Sequence, residues 1–218
     1  INGTVLQAGT VSVAAGTAYT TSGVLDNLGL LQGSGTIAAG TVSNRGVVSP
    51  GNSPGTLAIA GNFEQLSDGR LDIELAGLAD FDVLTVSGST SLAGGLAVHR
   101  YGDYAPAIGD EFIILRSSGA LSGSFAEGGP SLSGFGDGVR FGVVYDNALR
   151  TVTLQVVAVP EPATWGLMLS GLGALGARTP STGLSLTTPS RPHHRYRPRQ
   201  ADRWMAMLRA DSRRSRRP

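Results

Sequence analysis

Short runs in which apolar residues alternate with small or polar ones, each closed off by glycine, fix most of what this chain can fold into. Thr10-Val11-Ser12-Val13, Gly35-Thr36-Ile37, Gly55-Thr56-Leu57-Ala58-Ile59, Leu71-Asp72-Ile73-Glu74-Leu75, Asp82-Val83-Leu84-Thr85-Val86 and Gly95-Leu96-Ala97-Val98 have this form. A period of two places the apolar side chains of a run on one face, so each run predicts a strand with one buried face. Between the runs lie Gly, Asn, Ser and Pro clusters, which supply the positive backbone angles that sharp corners need. Almost nothing before residue 160 carries a helical period. The predicted fold class is all-β.

The runs also recur. Asn27-Leu28-Gly29-Leu30-Leu31 returns as Asn44-Arg45-Gly46-Val47-Val48, 17 residues on, and Gly35-Thr36-Ile37 returns as Gly55-Thr56-Leu57, 20 residues on. A period near 20 with strand-turn-strand content predicts the coils of a β-solenoid, in which apolar alternates stack into a core and each coil covers the open edges of the last. The recurring Asn stands at a corner, where it either stacks on its equivalent or caps a turn.

Net charge divides the chain in two. Residues 1–177 carry 6 Arg and 14 Asp plus Glu, a net of −8, whereas residues 178–218 carry 11 Arg and 2 Asp, a net of +9. An acidic body without a single lysine is a poor match for nucleic acid, whose phosphates call for clustered cations. Cysteine is absent, which removes disulfides, thiol nucleophiles and cysteine metal clusters from consideration. The chain starts at Ile1 without a basic-then-apolar leader pattern, and is read as a fragment lacking its export signal.

Val159-Pro160-Glu161-Pro162-Ala163-Thr164 is followed at once by an apolar run over residues 165–177, with Trp165, Leu167, Leu169, Leu172 and Leu175 as its large members, and then by Arg178. Two prolines flanking a glutamate continue neither a strand nor a helix and predict a stiff, extended spacer. This order resembles the PEP-CTERM sorting signal of Gram-negative bacteria, in which Val-Pro-Glu-Pro precedes a short membrane helix and an arginine cluster. The resemblance covers residues 159–178. It implies that an exosortase, a membrane-embedded transpeptidase-like protease, recognises Pro160-Glu161-Pro162 and cuts nearby. It also implies an exopolysaccharide-making organism, a precursor held transiently in the inner membrane by the apolar helix, and a mature protein at the cell surface or in the biofilm matrix.

The 13-residue apolar run is shorter than the roughly 17–25 residues that span a bilayer, and Thr179-Pro180-Ser181-Thr182-Gly183 stands where the arginines belong. The codons of those five residues, with G in the third positions, spell four consecutive arginines when read one base out of frame. The last 40 or so residues are therefore read as out-of-frame translation, a disordered tail without hydrophobic periodicity. A coding sequence that runs through the tail in one undisturbed frame counts against this. The alternative is a genuine basic arm for nucleic acid or another anionic polymer.

The body carries a second resemblance. Asn44-Arg45-Gly46-Val47-Val48-Ser49-Pro50-Gly51-Asn52-Ser53-Pro54-Gly55-Thr56-Leu57, then Gly61-Asn62-Phe63 and Asp82-Val83-Leu84-Thr85-Val86-Ser87-Gly88, resemble the passenger repeats of autotransporter-type surface proteins. In those proteins the Pro-Gly-Asn-Ser segment is a loop between rungs of a right-handed parallel β-helix. The resemblance covers roughly residues 20–100, and a right-handed parallel β-helix or similar solenoid is expected over residues 1–157, ahead of the sorting signal at 158–178 and the tail at 179–218. Residues 109–115 and 121–125 are expected to close the helix.

Three features invite an enzymatic reading. Gly51-Asn52-Ser53-Pro54-Gly55 fits the Gly-x-Ser-x-Gly elbow of serine hydrolases, yet Pro54 lacks the backbone N–H that the oxyanion hole requires at that position. Gly171-Leu172-Gly173-Ala174-Leu175-Gly176 fits a dinucleotide fingerprint but lies inside the apolar run without a preceding strand. The carboxylates are the third. Asp72 and Glu74 share a strand face, and Asp80 and Asp82 do so if their segment is extended. Either pair is a candidate for acid and base catalysis or for calcium, and each is more often a solvated strand face. His99 is expected to face water at a strand end. Tyr101, Tyr104 and Phe112 form either a sugar-stacking patch or a cover over the end of the solenoid.

Taken together, these features predict an exported structural protein rather than an enzyme, without cofactor or metal. A surface adhesin and a polysaccharide-active β-helix enzyme are the alternatives.

Overall fold

The computed structural model describes residues 3–159. They contain eighteen strands and no helix. In chain order these are β1 (Gly3–Gln7), β2 (Thr10–Val13), β3 (Ala18–Thr20), β4 (Gly23–Asn27), β5 (Leu30–Gly33) and β6 (Thr36–Asn44). Then come β7 (Val47–Pro50), β8 (Thr56–Gln65), β9 (Arg70–Gly77), β10 (Asp80–Phe81), β11 (Val83–Val86) and β12 (Thr90–Leu92). The last are β13 (Gly95–Arg100), β14 (Glu111–Ser117), β15 (Leu121–Gly123), β16 (Ser131–Ser133), β17 (Arg140–Asp146) and β18 (Thr151–Val157). Each of the six alternating runs lies in or overlaps one of these strands.

Two sheets hold them. One runs β1-β4-β6-β8-β11-β14-β18-β17, with β3 beside β6, β12 beside β8 and β15 beside β12; the other runs β16-β13-β9-β7-β5-β2, with β10 on β9. Apart from β10 on β9 and the last three strands of the first sheet, every pairing is parallel. The chain passes between the sheets and returns to pair in parallel with an earlier strand, 17 residues on for Leu30 and Val47 and 34 residues on for Ala97 and Ser131. Parallel neighbours need a crossover of this kind, and here the crossover is itself a strand of the other sheet.

Alternation decides what is buried. Leu71, Ile73 and Leu75 of β9 are fully buried, while Asp72 and Glu74 between them point outward. Leu25, Leu31, Ile37, Val42, Val48, Leu57, Phe63 and Leu84 join them in one continuous core. Corners are tight where chain passes over chain. A Cβ at Gly46 would fall on the carbonyl oxygen of Gly29, and one at Gly29 on that of Gly9, so glycine is the residue that fits the Asn-x-Gly corner.

Two expectations change in detail. The recurrence of Gly35-Thr36-Ile37 at Gly55-Thr56-Leu57 is not the pairing register, because Thr36 faces Ala58 and Ile37 faces Ile59. Thr56 and Leu57 pair instead with Val83 and Leu84 further along. The shift is by two residues, an even number, so every apolar side chain stays on the core face. The body is closed by an antiparallel arrangement as well as by residues 109–125. β18 lies between β14 and β17 and is antiparallel to both. Phe81, Tyr104, Phe135 and Phe141 form edge-to-face ring contacts around Phe112 or Phe141 over this end of the core.

Candidate functional site

The last strand delivers the segment that the sequence singles out. Thr151-Val152-Thr153-Leu154-Gln155-Val156-Val157 alternates, with Val152, Leu154 and Val156 buried. Paired on both edges, β18 is a held strand. The Gly109 N–H donates to the Val156 carbonyl at 2.9 Å, and the Val156 N–H donates to the Asp110 carbonyl at 2.9 Å. Arg140 is the register partner of Val157. Ala158 and Val159 then leave the sheet, Ala158 exposed. Only these two residues separate the end of β18 from Pro160.

Residues 158–179 match a family model described as the PEP-CTERM protein-sorting motif. The chain carries a PEP-CTERM sorting motif. It extends one residue beyond Val159 and one beyond Arg178. The motif implies recognition by an exosortase and an exported protein that transits a membrane. No curated protein matches the chain. Of the sorting residues, Val159 is described and half-buried. Pro160, Glu161 and Pro162 lie outside the described residues, as do Trp165, Leu167, Leu169, Leu172, Leu175 and the basic tail.

Ahead of the PEP-CTERM motif, the candidate carboxylates separate from one another. Asp72 is bound by Arg70 of its own strand, whose Nη2 donates to Oδ2 at 2.9 Å, and His99 Nε2 stands 3.8 Å from Oδ2. The ion pair raises the Arg70 pKa from its ordinary value, chiefly through its hydrogen bond to Asp72. His99 is near the end of β13 and partly exposed. Asp80 is exposed whereas Asp82 is fully buried. They do not share a face, because the pairing of β10 with β9 slips between Asp80 and Phe81 and the slip breaks the alternation that would have aligned them. Among the described residues, no group of three or more His, Cys, Asp or Glu is placed to hold a metal ion.

Asp82 has a structural task. Its Oδ1 accepts from the Gly55 N–H and its Oδ2 from the Glu74 N–H, each at 2.8 Å. One carboxylate thus ties the Pro-Gly-Asn-Ser-Pro-Gly loop between β7 and β8 to the backbone of β9. Burial pushes its pKa up to about 7, against the opposing pull of those two backbone donors, and Glu74 and Asp80 add like charge. Loop residue Ser53 is exposed at φ 74°, the setting of a turn rather than of a nucleophile flanked by a helix. Gly51, at φ 89°, lies against Asp82, and a Cβ there would fall on Oδ1 and lie 2.5 Å from the Gly55 nitrogen. Gly51→Ala is therefore expected to cost roughly 2 kcal/mol of stability from the left-handed backbone and the lost space. Urea unfolding checks this, and an unchanged midpoint contradicts it.

A second polar system runs through the corners. Gln7, Asn27, Asn44 and Gln65 are register partners in successive strands of the first sheet, and all four are buried. Asn27 Nδ2 donates to Asn44 Oδ1 at 2.7 Å, and Asn44 Nδ2 approaches Gln65 Oε1 at 3.5 Å and donates to the Arg70 carbonyl at 3.3 Å. Gln65 Nε2 donates to the carbonyls of Ala93 and Gly95 at 2.8 and 2.9 Å. Asn27 also caps its own corner, its Oδ1 accepting from the Gly29 N–H at 3.1 Å. Asn27 therefore both stacks and caps, whereas Asn44 stacks and leaves the Gly46 N–H to the Asn27 carbonyl. Gln65 escapes sequence reading because its corner, Gln65-Leu66-Ser67-Asp68-Gly69, lacks the Asn-x-Gly spacing.

The aromatic candidates also part. Phe112 is fully buried, and Tyr104 donates its hydroxyl to Asp110 Oδ2 at 2.9 Å, with its pKa pushed up to about 12 by burial and that hydrogen bond. Of the three rings, Tyr101 alone is exposed, which fits a cover over the core better than a stacking platform for sugar.

Proposed function

We propose that the chain is an exported structural protein of the cell surface or biofilm matrix, a right-handed parallel β-helix that an exosortase releases from a membrane-held precursor. The observation that carries this reading is the PEP-CTERM motif, which begins at the first residue after β18. Residues 165–177 serve as the transient anchor in the inner membrane, and Pro160-Glu161-Pro162 is the segment the protease reads. Parallel pairing of each strand with one laid down a coil earlier, and amides stacked at equivalent corners, support the β-helix.

A scaffold role is supported by how the polar side chains are used. Asp82, Asn27, Asn44 and Gln65 bond to backbone or to one another inside the fold, so they hold successive coils together. The acidic exterior of such a scaffold keeps it soluble, and exopolysaccharide is its expected surrounding.

The test is location. In a Gram-negative host with an exosortase, antibody against the β body labels intact cells or the shed matrix. In the same host without the exosortase, the protein stays with the inner membrane. Equal surface labelling in both hosts sinks the proposal.

A further inference from the structure

The fold leaves little chain between its last strand and the sorting motif. Val157 ends β18, and only Ala158 and Val159 stand between it and Pro160. Two residues reach at most about 7 Å. A protease embedded in the inner membrane is built of packed helices, and one helix with its side chains is roughly 10–12 Å across. No such wall fits between Pro160 and the chain that flanks the end of β18. An enzyme that encloses Pro160-Glu161-Pro162 therefore meets the folded body before the motif is seated.

The hold on that end is graded. Val157 is half-buried and has Arg140 of β17 as its register partner, whereas the register of β18 with β14 stops at Gln155 and Glu111. Val156 is held from both sides. Phe141 faces it from β17, the Gly109 N–H donates to its carbonyl, and its own N–H donates to the Asp110 carbonyl, both bonds at 2.9 Å. Its side chain is 3% exposed, in the same core as Phe141 and Leu154. Strand ends open far more readily than core-held segments. Release of Val156 and Val157 lengthens the free link from two residues to four, a reach of about 14 Å that clears one helix. Peeling stops there, because Gln155 Nε2 donates to Glu111 Oε1 at 3.0 Å and Leu154 is fully buried.

We propose that opening of the last two residues of β18 controls exosortase processing: the closed body holds the precursor back, and the enzyme cuts the fraction in which Val156 and Val157 have left the sheet. The inference rests on the exosortase reading above. Cleavage of a transiently opened segment tracks its open population when reclosing is fast. The pairing of Val156 and Val157 thus sets the rate at which the body is released.

The test follows processing of the exported full chain in a Gram-negative host with an exosortase, read by pulse labelling and gel mobility. A Gly/Ser linker of about eight residues between Val157 and Ala158 spans roughly 16 Å and is expected to speed processing severalfold. Arg140→Cys with Val157→Cys, in a chain that has no cysteine, places a disulfide across register partners in an oxidising compartment. It is expected to slow processing by about tenfold, and Arg140→Ser with Val157→Ser is not. The linker added to the disulfide variant is expected to restore fast processing. A disulfide variant that failed to fold would be cut faster, which is the opposite sign. Equal rates for the parent, linker and disulfide chains overturn this inference and leave the exosortase reading standing. Processing of none of them, the linker variant included, overturns both.

Discussion

An Asp82→Asn variant is expected to be less stable than its parent by about 1–3 kcal/mol at pH 4.5, with a gap that closes or reverses as the pH passes 7. The loss comes from geometry. Both oxygens of Asp82 accept backbone N–H groups, from Gly55 and Glu74, and an amide has one oxygen, so its NH2 is forced against one of those donors. The pH dependence comes from burial, which raises the folded pKa of Asp82 from 3.8 to about 7. Between those two values the folded state holds a proton that the unfolded chain has released. The contribution of Asp82 is therefore fully present below about pH 4 and is lost as the pH rises through about 7, a total of roughly 4 kcal/mol. Asparagine does not titrate, so the variant lacks this slope. Urea unfolding of both proteins at pH 4.5, 6 and 8 measures the difference directly. Parallel pH profiles would show that Asp82 is not the buried acid described here.

Asn44→Ala is expected to cost about 2–4 kcal/mol, because it strands several groups at once. The side chain is fully buried, its Oδ1 accepts from Asn27 and its Nδ2 donates to the Arg70 carbonyl. Without it, one N–H bond of Asn27 and a carbonyl of β9 lose their partner in a dry interior, and a small cavity remains. The effect should not be additive with Asn27→Ala, since the two residues share a bond. A double-mutant cycle read by urea unfolding tests this; independent losses that sum would mean that the amides act as separate turn caps and the stacking bond adds nothing.

How much of this was legible in the sequence depends on how local the signal is. Asn27 and Asn44 announced their corner because Asn-x-Gly is a contiguous pattern, and the structure pairs them in register. Gln65 occupies the equivalent place without that pattern, since its corner is two residues longer, so the column looked shorter than it is. The similarity between residues 35–37 and 55–57 pointed to coiling but misplaced the register by two residues, because the inserted Pro-Gly-Asn-Ser-Pro-Gly loop delays the return of the chain. A period of two conceals an even slip.

Asp82 was unreadable for a related reason. It looks like a surface acid two residues from Asp80, and only the slip between Asp80 and Phe81 turns it inward. The antiparallel pairing of β17 with β18 rests on contacts between residues such as Val143 and Leu154, which neighbouring residues do not encode. The sorting motif was the most legible element, because a protease reads a contiguous peptide and the information has to be local.

The most direct test of the central claim, that the β body is the cargo of an exosortase-read sorting signal, is the intact mass of the exported protein from hosts with and without an exosortase. With the enzyme present, the predicted product ends close to Pro160-Glu161-Pro162 and lacks the apolar run and everything after it. Without the enzyme, the protein keeps residues 165–177. A product that retains the apolar run in both hosts would contradict the claim.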